Sequence, residues 1–149
     1  MKAVLLAGGL GTRLREETEY RPKPMVEVGG RPILWHIMKG FAHHGISDFV
    51  VCTGYRGEVI KDFFLNYEGR THDFTVRLGQ PAEVSYHSAH EEDGWQVTVA
   101  DTGQTTMTGG RVNRIRDHIG DERFMVTYGD GLADVDIPAL LAFHEAHGR

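Results

Sequence analysis

Residues 6–14, Leu6-Ala7-Gly8-Gly9-Leu10-Gly11-Thr12-Arg13-Leu14, are followed after a short spacer by Arg21-Pro22-Lys23-Pro24-Met25. An apolar run, a glycine turn, a guanidinium and an ammonium therefore fall within one short stretch. Glycines let backbone N–H groups crowd around an anion without obstruction by Cβ, and fixed cations neutralise phosphoryl oxygens. The chemistry on offer is the grip of a polyphosphate. Two familiar grips are excluded. A dinucleotide fingerprint started at Gly9 and Gly11 has Leu14 in its third glycine position, and no G-x-x-x-x-G-K-[ST] string occurs.

Further along, Asp130 sits between Gly129 and Gly131 after the apolar run 124–128. A carboxylate at the carboxyl end of a strand suits Mg²⁺ bridging phosphate oxygens, and it equally suits an ordinary Asp-Gly turn. The stretch Asp101 to Arg111 is rich in glycine and threonine, a loop of hydroxyl and N–H donors or a plain connection. Asp134 and Asp136 read as loop and cap ahead of a helix near Ile137. The histidine pairs His87/His90 and His144/His147 lack the further ligands that zinc needs, and Glu16, Glu17 and Glu19 read as a solvated loop.

The elements that must position these groups follow from periodicity. Lys2 to Ala7 reads as a buried strand, and Ile33, Leu34, Ile37, Met38 and Phe41 predict a helix from about Pro32 to His44. Phe49 to Thr53 is the next strand, and Val59, Ile60, Phe63 and Phe64 mark a second helix. Three β-rich stretches, 74–78, 83–87 and 95–99, come next, the last two predicted to form a hairpin-like excursion around residues 91–94. Val112, Ile115 and Ile119 share a helical face, Arg123 to Thr127 forms a buried strand, and Ile137, Leu140 and Leu141 belong to a closing helix. Strands alternating with helices predict an α/β fold. It is a Rossmann-like, doubly wound, mostly parallel sheet with flanking helices and a small β excursion, binding its ligand at the carboxyl ends of the strands.

Composition narrows the classes of function. The 149 residues are 40% hydrophobic and 25% charged, enough for one domain and one core. A net charge of −5 argues against a nucleic-acid-binding surface. The single cysteine, Cys52, excludes an internal disulfide and lies in an apolar run where a buried, inert thiol is expected. No export signal or membrane-spanning segment is visible, so the expected location is the cytoplasm, with no membrane partner.

The order of motifs resembles the sugar-phosphate nucleotidyltransferases. The resemblance rests on Leu-Ala-Gly-Gly-x-Gly-Thr-Arg-Leu, Pro-Lys-Pro and Gly29-Gly30-Arg31-Pro32-Ile33-Leu34. Thr18, Arg21 to Gly30, Trp35-His36-Ile37-Met38, Asp101-Thr102-Gly103, Met107 to Arg111 and Tyr128 to Gly131 are most similar to the glucose-1-phosphate cytidylyltransferases. The resemblance implies an enzyme that transfers a cytidylyl group from CTP to α-D-glucose 1-phosphate, giving CDP-glucose and pyrophosphate with Mg²⁺ as cofactor. The same reaction with UTP or dTTP, or a non-catalytic nucleotide-binding fragment, stays open. In such an enzyme Arg13 stabilises the triphosphate and leaving pyrophosphate, and Lys23, kept out of a helix by its flanking prolines, contacts the α-phosphate region or the sugar phosphate.

The resemblance also implies that Asp130 holds the metal and that Leu6, Ala7, Gly8, Gly9, Leu10, Gly11 and Thr12 line the nucleotide, the first four through backbone groups at the pyrimidine edge. Residues 101–111 close over the nucleotide with Thr106 and Arg111 touching it, and Gly129 admits ribose or base. Homo-oligomers are expected of the full-length form. The resemblance covers only the N-terminal part of a usual member. Residues 1–149 are therefore expected to be the nucleotide-binding part, without the C-terminal part that supplies a sugar-phosphate-binding lysine and a second metal-binding aspartate.

Overall fold

The computed structural model describes residues 1–9, 20–87 and 92–148. Four strands, β1 (Lys2–Leu6), β4 (Asp48–Thr53), β7 (Gln96–Asp101) and β8 (Phe124–Tyr128), form one parallel sheet in the order β7-β4-β1-β8. The first two are continuous apolar runs, as strands buried on both faces must be. Alternation along β1 sends Ala3 and Leu5 to one face and Val4 and Leu6 to the other. The first face packs α1 (Ile33–His43), α2 (Gly57–Leu65) and α6 (Ile137–His147) through Leu34, Ile37, Met38, Ile60, Phe63 and Ile137. The second packs α4 (Thr108–Arg114) and α5 (Arg116–Ile119) through Val112, Ile115 and Ile119. Helices on both faces make the sheet doubly wound, as the sequence predicts.

The strand order has a functional consequence. β4 and β7 extend the sheet on one side of β1, whereas β8 returns to the other, so the topological switch lies between β1 and β8. Register sets Leu6 opposite both Cys52 and Tyr128, and Thr53 opposite Asp101. The four carboxyl ends thus finish side by side, and the crevice beyond a switch point is where such sheets take ligands.

Several expectations need correcting. The small β excursion is an antiparallel ribbon of β5 (Phe74–Arg77) and β6 (Glu83–Tyr86), while β7 joins the main sheet instead of pairing with β6. Val97 and Val99 pack on one core and Ala100 on the other, which favours a place within the sheet, and Phe74 faces Tyr86 as Val76 faces Val84 in the ribbon. The helix predicted through Val112 and Ile119 is two pieces broken at Ile115, whose φ of −99° and ψ of 7° end one and begin the other while its side chain is fully buried. β8 is an edge strand, with Val126 and Tyr128 substantially exposed, where a buried strand was expected. A minihelix α3 (Tyr67–Thr71), the short pair β2 (Glu27–Val28) and β3 (Arg31–Pro32), and a 3-10 turn at Lys23–Met25 are the remaining elements of the described residues. Asp136 caps α6 as expected, accepting from the Ala139 N–H at 2.9 Å.

Cys52 is fully buried. Burial pushes its thiol from 9.0 up to about 11, the Arg111 guanidinium offsetting part of that rise. The fold thus favours the neutral thiol, a contribution complete below about pH 9 and lost as pH climbs toward 11. At pH 8 iodoacetamide should alkylate the native protein about a hundredfold or more slowly than the unfolded chain. Equal rates in mass-spectrometric time courses would refute this.

Candidate functional site

Two of the groups singled out in sequence meet at the switch point. Lys23 Nζ lies 2.8 Å from Asp130 Oδ2, each side chain about one-third exposed. Pro22, Pro24 and Met25 are buried around Lys23, and the Met25 N–H donates to the Pro22 carbonyl at 2.8 Å. The anchored prolines leave the lysine as the residue that projects. They do not keep it out of helical structure as expected: Lys23 opens the 3-10 turn, whose first positions tolerate proline because their N–H groups have no helical partner. Asp130 is carried by the end of β8, and the Gly129 N–H donates to the Leu6 carbonyl at 3.0 Å, tying that end to β1. A Cβ on Gly129 would lie 3.2 Å from Ala7 Cβ and 3.3 Å from the Leu6 carbonyl oxygen. On that side, packing against β1 accounts for the glycine.

The glycine turn begins where β1 stops. Gly8 is buried and Gly9 exposed, with no atom of the described residues within 4 Å of where a Gly9 Cβ would stand. Of the backbone groups expected at a base edge, the Leu6 carbonyl accepts from Gly129, the Ala7 N–H donates to the Cys52 carbonyl at 2.9 Å, and the Gly8 carbonyl accepts from Tyr55 N–H at 3.4 Å. Leu10, Gly11, Thr12 and Arg13 lie outside the described residues.

The stretch 101–111 is divided between two elements. Asp101 ends β7, residues 102–107 form the connection, and Arg111 belongs to α4. Thr106 is half-buried, its hydroxyl 2.8 Å from where a Gly103 Cβ would stand. Arg111 is only 6% exposed. Its Nη1 donates to the Thr53 carbonyl (3.0 Å), the Thr102 hydroxyl (2.7 Å) and the Gly103 carbonyl (2.8 Å), and Nη2 to the carbonyls of Gly8 (2.9 Å) and Gln104 (3.3 Å). Burial lowers its pKa, with Cys52 and Asp101 opposing that shift and Arg114 adding to it. Sequence inspection missed Thr53, Gly54, Thr102 and Arg114. Asp101-Thr102-Gly103 is the one signal that bore on them.

Chemically, the crevice offers an exposed glycine backbone, an ammonium and a carboxylate at the ends of adjacent strands. Among the described residues no three His, Cys, Asp or Glu side chains gather into a metal cage. Among the described residues a hard cation at Asp130 would have one protein carboxylate and would complete its shell with phosphate oxygens and water, the donor set that Mg²⁺ favours. The residues present fit that ion. A cavity of about 910 Å³ is lined by residues of α1, β8 and the segment 131–140, with Trp95, and by neither Lys23 nor Gly8. No helix among the described residues is long and apolar enough to cross a membrane.

Comparison with known proteins places these features in context. Residues 2–149 match the nucleotidyl transferase family model. The chain is 54% identical over 150 residues to glucose-1-phosphate cytidylyltransferase of Salmonella typhimurium, covering 100% of this chain and 58% of that protein. It is 42% identical over 156 residues to a probable glucose-1-phosphate cytidylyltransferase of Bacillus subtilis, covering 99% and 57%. The chain therefore spans 57–58% of the length of these relatives. Among solved structures, UDP-glucose pyrophosphorylase complexed with UDP-glucose superposes with a TM-score of 0.70 at 18% identity, covering 99% of this chain and 54% of that one. HddC from Yersinia pseudotuberculosis complexed with GMP-PN gives 0.69 at 23%, covering 96% and 53%. These last two likenesses concern the fold.

Proposed function

The chain belongs to the nucleotidyl transferase family, and from that premise we propose that residues 1–149 are the nucleotide-binding part of an enzyme that joins CTP to α-D-glucose 1-phosphate. The placement of Lys23 against Asp130 beside the glycine turn, at the switch point of the sheet, carries this reading. The 54% identity to the Salmonella relative supports the choice of cytosine and of glucose. A phosphate oxygen of the sugar attacks the α-phosphorus, the bond from that phosphorus to the bridging oxygen breaks, and pyrophosphate leaves with the electron pair.

Both substrates are anions, so the protein's task is to hold them in line and spread charge, with no protein nucleophile. The glycine turn receives the nucleotide through backbone N–H groups. Lys23 binds the α-phosphate region or the sugar phosphate, and Arg13, with Leu10, Gly11 and Thr12, completes the grip on the triphosphate. Asp130 would hold Mg²⁺, which would supply polarisation of phosphate oxygens and offset negative charge there. Thr106 lies at the nucleotide's margin. The sugar-binding part, a cytoplasmic setting and homo-oligomeric assembly belong to this reading of the whole protein, on the resemblance described above.

Thermal-shift titration with CTP, UTP and dTTP in Mg²⁺ tests it. At 100 times the dissociation constant a ligand stabilises by about 2.7 kcal/mol. Selective stabilisation by CTP is expected; a larger effect of UTP or dTTP would reassign the base. Pyrophosphate release by the full-length protein supplied with CTP and glucose 1-phosphate tests catalysis, and its absence despite CTP binding would leave a nucleotide-binding module.

A further inference from the structure

Arg111 occupies an unusual place for a cation beside a site that handles anions. Its five acceptors are spread over the ends of three adjacent parallel strands: Gly8 after β1, Thr53 at the end of β4, and Thr102, Gly103 and Gln104 after β7. Nη1 has two hydrogens for three acceptors and Nη2 has two for two, so both arms of the fork are fully engaged within the protein. The Thr102 hydroxyl itself donates to the Thr53 carbonyl at 2.6 Å, and Arg114 Nη1 donates to the Thr102 carbonyl at 2.6 Å. Glycines make room for this knot. A Cβ on Gly8 would stand 2.0 Å from Arg111 Nη1, one on Gly54 2.7 Å from the same atom, and one on Gly103 2.4 Å from Arg114 Nη1.

We infer that Arg111 is a positioning residue, which clamps three strand ends and aims the glycine turn at the nucleotide instead of binding phosphate itself. The physical link is the planar peptide between Gly8 and Gly9. Its C=O and N–H point in opposite directions in the trans form, so a carbonyl of Gly8 drawn inward by Arg111 and Tyr55 directs the Gly9 N–H outward. Gly9 is the exposed residue of the pair, and among the described residues nothing lies within 4 Å of where its Cβ would be. An outward N–H on an exposed residue is what an incoming phosphate requires. The inference rests on the nucleotide-binding reading for its ligand, and on the hydrogen bonds alone for the clamp.

Hydrogen exchange and CTP titration on Arg111→Met and Arg111→Lys separate the possibilities. In ligand-free Arg111→Met, amides of residues 8–9, 54–55 and 102–104 should exchange about tenfold faster or more, while those of Val4 and Leu5 at the sheet centre keep their protection. CTP should bind about tenfold more weakly. Arg111→Lys, which reaches fewer carbonyls, should fall between, and it decides the matter if Arg111→Met does not fold. Weaker CTP binding with unchanged exchange in the ligand-free protein would make Arg111 a direct phosphate ligand and overturn the inference. Faster exchange with unchanged CTP affinity would reduce Arg111 to a stabilising role and overturn it too. If the unsubstituted protein binds none of CTP, UTP and dTTP, the nucleotide-binding reading fails and the aiming role with it, and exchange still decides the clamp.

Discussion

Asp130→Asn is expected to lower turnover of the full-length protein by about 10²- to 10³-fold, the usual cost of removing one electrostatic stabiliser of developing charge. The substitution keeps the shape of the side chain and removes its charge. A hard cation loses its one carboxylate in the described part of the site, so the Mg²⁺ concentration needed for half-maximal rate should rise as well. Stability should hardly move. The Lys23–Asp130 pair is about one-third exposed on each side, and ion pairs with that access to water contribute only ~0.2–1 kcal/mol. Pyrophosphate release across a Mg²⁺ series, with Tm followed in parallel, gives both readings. Unchanged kinetics would remove Asp130 from the mechanism, whereas a large fall in Tm would make it a structural residue.

Gly54→Ala is the second large effect, and it falls on binding and stability together. The new methyl would stand 2.7 Å from the Gly8 carbonyl oxygen, 2.8 Å from that of Gly103 and 2.7 Å from Arg111 Nη1. Two of these three neighbours are backbone, which no change of rotamer relieves. Overpacking of this kind costs about 1–3 kcal/mol, seen as a fall in Tm of roughly 3–10 °C for a chain of this size. Because the displaced carbonyls belong to the turns after β1 and β7, CTP affinity should drop by about tenfold or more as well. Gly9→Ala supplies the contrast. Its methyl meets no atom within 4 Å among the described residues, so stability should change by no more than ~0.5 kcal/mol while CTP binding weakens. Normal CTP affinity in Gly9→Ala would move the nucleotide away from the exposed turn.

Much of the fold was legible in the linear chain because its signals are local. Apolar runs marked β1 and β4, and the spacing of Ile33, Leu34, Ile37, Met38 and Phe41 located α1 to within a residue or two of Ile33–His43. The glycine turn, Lys23, Asp130 and the family resemblance were equally available, since a motif is a matter of residue types in order. Strand partnership was not available. Residues 83–86 and 96–101 are both β-rich, and only partial burial of Val97, Val99 and Ala100 against the two cores sends β7 to β4 while β6 pairs back to β5.

By itself, then, the sequence determined the main strands and helices, the doubly wound class and the kinds of group gathered for phosphate chemistry, because each follows from local periodicity or composition. Tertiary structure decided which of those groups meet. Lys23 reaches Asp130 only because β8 returns beside β1 and buried prolines hold the lysine in a 3-10 turn. Arg111 became a buried clamp because three parallel strands end in register, turning carbonyls toward one point where a guanidinium can satisfy them. A buried cation needs those partners, and no linear pattern records where carbonyls converge.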